Sequence, residues 1–112
     1  MLSYDDSHER IVIPGVDADA YFPVIGMSMK PVVMPGDIIG VKYMDRFDHI
    51  DPDRIYLIIT VDNERMIKHI MPTKPDEDYI TLTSDNKDFA PFRIPKNGVL
   101  KVMRVVYVGR QM

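Results

Sequence analysis

The sequence contains no cysteine. That excludes a disulfide framework and any thiolate metal site, and it suits a reducing, cytoplasmic setting. Long apolar runs are also missing. The longest, Ile55 to Val61, is strand length, far short of the ~20 residues a membrane-crossing helix needs. Residues 1–10 are polar and acidic and do not resemble a signal peptide. Neither a membrane partner nor export is therefore expected. Basic charge is in deficit, with 14 Lys+Arg against 17 Asp+Glu and a net charge of −3. This argues against the chain holding nucleic acid by itself. Uninterrupted segments are scarce too: nine prolines are scattered along the chain, so long helices are not expected.

What is present is ordinary for a globular domain: 46% hydrophobic and 28% charged residues. At 112 residues the chain fits one domain, 1–112, with a loose lead-in over residues 1–20. Turn residues separate short β-prone runs. A strand is expected at Tyr21–Ile25, ending at Gly26. Pro35-Gly36-Asp37 is a turn signal leading into a β-branched run, Ile38–Tyr43. Ile55–Val61 and Arg65–Met71 flank Asp62-Asn63-Glu64, which is hairpin spacing. Further runs follow at Tyr79–Thr83, Phe92–Ile94 and Val99–Val108. The pattern predicts a mostly β domain: a partly closed, barrel-like sheet of about seven short strands.

Two residues could carry chemistry. Ser28 follows Gly26, which permits a sharp turn after a strand. A turn or single helical turn starting there, with Pro31 tolerated in it, would leave backbone N–H groups without partners, free to stabilise an oxyanion. Serine is equally a favoured helix cap. Lys68 shares one face of its strand with Met66 and Ile70, by simple alternation. A lysine desolvated there would lose its charge more readily and could act as a base towards a serine hydroxyl. A lysine snorkelling from a sheet edge fits the same pattern. On the residues alone both pairs of readings stay open. Asp45, Asp48, Asp51 and Asp53 crowd one loop with His49, but the spacing lacks the glycine and terminal glutamate of a calcium loop. A solvated loop is expected and no metal or cofactor. Tyr79, Phe89 and Phe92 are expected in the core.

Gly26-Met-Ser-Met-Lys30, Pro35-Gly-Asp37, Ile67-Lys-His69 and Ser84-Asp-Asn86 occur in that order, with Ser28 and Lys68 forty residues apart. The series resembles the self-cleaving C-terminal domain shared by LexA, phage repressors and the mutagenesis protein UmuD. The likeness runs from about Phe22 to Val108. It implies Ser28 as nucleophile, Lys68 as general base, and the Met27 and Ser28 N–H groups as oxyanion hole. Hydrogen-bond reach between Ser28 and Lys68, ~2.6–3.2 Å or looser in an apo form, would follow. Gly36 and Asp37 would hold the turn after the nucleophile. Ser84 to Asn86 would border the cleft or shape its loop, a structural role. Gly26, Met29 and Pro31 belong to the nucleophile motif.

The resemblance further implies a homodimer that reaches DNA only through an N-terminal domain not in this chain. It also implies a recombinase–single-stranded DNA filament as the trigger of self-cleavage in an SOS-type response. His69 stands where the family often has arginine. The Ala-Gly or Cys-Gly bond that such proteins cut would fall before Met1, and Ala18-Asp19 and Asp19-Ala20 do not match it. Two readings follow: an excised C-terminal part of a self-cleaving regulator, or a dimerisation module that does not cut itself. A signal-peptidase-like enzyme, with a related dyad, would need a membrane anchor that this sequence lacks.

Overall fold

The computed structural model describes residues 13–110. Most of the expected lead-in therefore lies outside the described residues. Seven strands form: β1 (Ala20–Pro23), β2 (Ile38–Tyr43), β3 (Tyr56–Thr60), β4 (Arg65–Ile70), β5 (Tyr79–Thr83), β6 (Phe92–Pro95) and β7 (Val99–Gly109). A short 3-10 turn, Lys96–Gly98, leads into β7. They make one antiparallel sheet curled into a half-barrel, in the order β1-β2-β7-β3-β4-β5-β6.

The strands follow from local chemistry. β3 is apolar without interruption because both of its faces are buried. Leu57 and Ile59 pack with Phe22, Val33, Ile39, Val41 and Met103 on one side. Tyr56 and Ile58 pack with Ile70, Ile80, Leu82 and Val102 on the other. Each such side chain contributes roughly 1.5–3 kcal/mol on leaving water. The β3–β4 hairpin turns on Asn63, at φ 66°, a left-handed conformation that asparagine tolerates. Its register sets Tyr56 opposite Lys68 and Ile58 opposite Met66.

β4 changes partner along its length. Residues Arg65–Lys68 pair with β3, whereas His69 and Ile70 pair with Thr83 and Leu82 of β5. β7 lies between β2 and β3 and is bulged against each. Thus β1–β2 and β3–β4 are bridged through the last strand.

The turn or single helical turn expected from Ser28 forms as consecutive turns over residues 28–33, with the Val32 and Val33 N–H groups both donating to Met29 O at 2.9 Å. Pro31 has no N–H to give the Met27 carbonyl, and it disfavours helical geometry at Lys30. The Lys30 N–H donates to the Met27 oxygen at 3.1 Å in its place.

Candidate active site

The loop bearing Ser28 is an excursion from the β1–β2 pair. Its base is closed by two backbone bonds: Val24 N–H donates to Asp37 O (2.8 Å) and Gly36 N–H to Val24 O (3.1 Å). Gly26 and Gly36 sit at φ 92° and 89°, where L side chains are strained. Asp37 is 1% exposed. Its carboxylate accepts from the Met34 N–H (2.8 Å) and from both Nε and Nη2 of Arg110 (3.0 and 2.9 Å). The Arg110 fork, with help from the Met34 N–H, holds this carboxyl below the usual aspartate range. The turn role expected of Gly36 and Asp37 thus has a concrete form, and Arg110 is an addition. No local pattern marks it, because it lies 73 residues from its partner.

Lys68 lies across from this loop. It is 6% exposed, on the same face as Met66 and Ile70, both packed in the second core cluster. Burial pushes its amine below the ordinary lysine value. Its Nζ lies 5.4 and 5.6 Å from the ring centroids of Phe89 and Phe92. Ser28 and Lys68 line the same cleft, of about 250 Å³, with Gly26, Met27, Phe89 and Phe92 on its walls.

The direct Ser28–Lys68 hydrogen bond is absent. Lys68 Nζ instead donates to Ser84 Oγ at 2.8 Å. Among the described residues, the N–H groups of Met27 and Ser28 donate to nothing. Both residues line the cleft.

The segment Ser84-Asp85-Asn86 ties the two sides together. Ser84 meets Lys68. Asp85 Oδ1 meets His69 Nε2 at 2.9 Å, while His69 Nδ1 meets the Arg54 carbonyl at 2.7 Å. The Asn86 N–H donates to Ser28 O (2.9 Å), and its side-chain Nδ2–H donates to Met27 O (2.9 Å). The resemblance implied that this segment borders the cleft or shapes its loop; in the structure it touches both Lys68 and the loop bearing Ser28.

Two expectations fail here. Phe89 and Phe92 are not core residues but are 44% and 38% exposed, because they wall an open cleft. Tyr79, also expected in the core, is half-exposed on edge-side β5, with Arg93 over its ring at 4.7 Å. The acidic loop lies largely in solvent, and among the described residues no three metal-ligating side chains cluster. No helix among them is long and apolar enough to cross a membrane.

The curled antiparallel half-barrel thus carries Ser28, on a glycine-flanked loop, and buried Lys68 in one cleft. The Peptidase S24-like family matches residues 3–107, and the chain belongs to that family, which includes the C-terminal domains of LexA, UmuD and phage repressors. No curated protein matches the chain by sequence.

Proposed function

We propose that the chain is the peptidase and dimerisation domain of a LexA- or prophage-repressor-like transcriptional regulator. The observation that carries this reading is the shared cleft of half-buried Ser28 and buried Lys68. Desolvation favours the neutral amine, which can take the Ser28 proton. Ser28 Oγ would then attack a peptide carbonyl. The Met27 and Ser28 N–H groups would hold the oxyanion, the amine proton would pass to the leaving nitrogen, and water would resolve the acyl-enzyme.

The scissile bond would lie upstream in the regulator, between this domain and an N-terminal DNA-binding domain. A recombinase filament on single-stranded DNA would trigger the cut in the cytoplasm. Pairing into a homodimer would use the outward apolar side chains of β7, among them Leu100, Val106 and Val108.

The missing Ser28–Lys68 hydrogen bond favours a second reading, in which the dyad is idle and the domain serves only to dimerise. Alkaline incubation of a polypeptide carrying this domain with its upstream segment separates them. A single cut, lost in both Ser28→Ala and Lys68→Ala, supports the peptidase. An intact wild-type chain at every pH leaves the dimerisation module.

A further inference from the structure

We propose that Ser84 is a positioning residue for the Lys68 base, making the site a serine–lysine–serine arrangement. The proposal rests on the peptidase reading above.

Lysine has a long, rotatable stem, so burial alone does not aim its nitrogen. The walls around Nζ are the faces of Phe89 and Phe92, which offer no directional acceptor. The one hydrogen bond made by Nζ among the described residues goes to Ser84 Oγ at 2.8 Å. A neutral amine has two N–H groups and one lone pair. With one N–H engaged by Ser84, rotation about the Cε–Nζ bond is restricted, and the lone pair can be directed to the cleft side. Ser28 is among the residues lining the cleft and Ser84 is not, so of the two hydroxyls Ser28 is the one assigned the attack.

Its placement is also fixed relative to Ser28. The next residue is held to His69, the neighbour of Lys68, and the one after to the Ser28 carbonyl. The nearby charged groups are Arg65 and His69 on β4 and Asp85 after β5. Of these, Asp85 pairs with His69 and none forms an ion pair with Lys68. Ser84 is thus the polar contact that sets the amine's position.

The test uses an alkyl fluorophosphonate on the full chain. Ser28 Oγ forms the bond to phosphorus, fluoride leaves, and the serine proton passes to Lys68 and on to solvent. The limiting rate and the pH midpoint of Ser28 modification are read by mass spectrometry. Ser84→Ala and Ser84→Val should lower the limiting rate on the order of tenfold to a hundredfold, part of the ~10²–10⁴ that a general base supplies. They should also move the midpoint to lower pH, because the acceptor that favours the ammonium is gone. Ser84→Thr, of the same shape as Val but with the hydroxyl, should restore both. This pair decides the matter should Ser84→Ala not fold.

Valine and threonine variants that behave alike, or valine and alanine variants that keep the wild-type rate and midpoint, overturn the proposal while leaving the peptidase reading intact. Modification found on Ser84, or no modification of wild-type Ser28 at any pH, overturns the peptidase reading and the proposal with it.

Discussion

Replacing Asn86 with alanine should separate the stability of this domain from the reactivity of its serine. The backbone bonds of Asn86 to Ser28 and Phe89 remain. Two side-chain bonds vanish: Nδ2–H to Met27 O at 2.9 Å, and Oδ1 accepting from Asp88 N–H at 3.0 Å. Neutral hydrogen bonds contribute roughly 0.5–1.5 kcal/mol each. Both of these are exposed, so water replaces the lost partner and the low end applies, about 1 kcal/mol in total. For a domain of this size that lowers Tm by about 4 °C.

The folded fraction at room temperature hardly changes, so slower chemistry cannot be blamed on unfolding. Yet the Met27 carbonyl belongs to the loop that carries Ser28, and a misplacement of ~1 Å can cost on the order of 10²-fold in rate. Circular dichroism melts and fluorophosphonate modification of Ser28 measure the two effects separately. A lowered Tm beside an unchanged modification rate would show that the side chain does not hold the nucleophile loop.

Lys68→Met should abolish Ser28 modification and also change how stability depends on pH. The folded amine has a lowered pKa, so above that value the unfolded chain binds more protons and wild-type stability rises with pH up to the ordinary lysine range, about 10.4. Denaturant melts of Lys68→Met should lack this rise. Arg110→Ala strips Asp37 of its main partner and should lower Tm. The depressed Asp37 pKa means its contribution is present above about pH 4 and fades as pH falls through the folded value. The Tm gap between wild type and variant should therefore narrow in acid. Gly40→Ala would place a Cβ 2.9 Å from the Tyr21 ring and 3.2 Å from the side chains of Ala18 and Tyr107. Overpacking there should cost about 1–3 kcal/mol, read as a lower urea midpoint with unchanged slope.

The strand inventory was legible because each run carries its own signal. β3 is a short apolar block, the hairpin has Asp62-Asn63-Glu64 at its tip, and Pro35-Gly36 introduces β2. Ser28 and Lys68 stood out as candidates only through the ordered motifs, since a serine near a turn and a lysine on a strand both have commoner uses. What stayed hidden depends on contacts distant in sequence. Phe89 and Phe92 look like core residues until the fold shows a cleft between them and the nucleophile loop. Arg110 finds Asp37 across nearly the whole chain. Ser84 reaches Lys68 because β4 abandons β3 for β5 one residue beyond the lysine. His69, which departs from the family's frequent arginine, keeps a polar link to that segment through Asp85.

The central position of β7 has a consequence for the order of assembly. The loop bearing Ser28 hangs from β1 and β2, and Lys68 belongs to the β3–β4 hairpin. The strand hydrogen-bonded to both β2 and β3 is the last one made. On a ribosome, a chain that has emerged as far as Asn86 already holds the serine, the lysine and the segment between them, but not the strand that joins their two halves. The cleft is completed only when Val99–Gly109 inserts, so Ser28 and Lys68 come to share one cleft only after the last of the seven strands has been made.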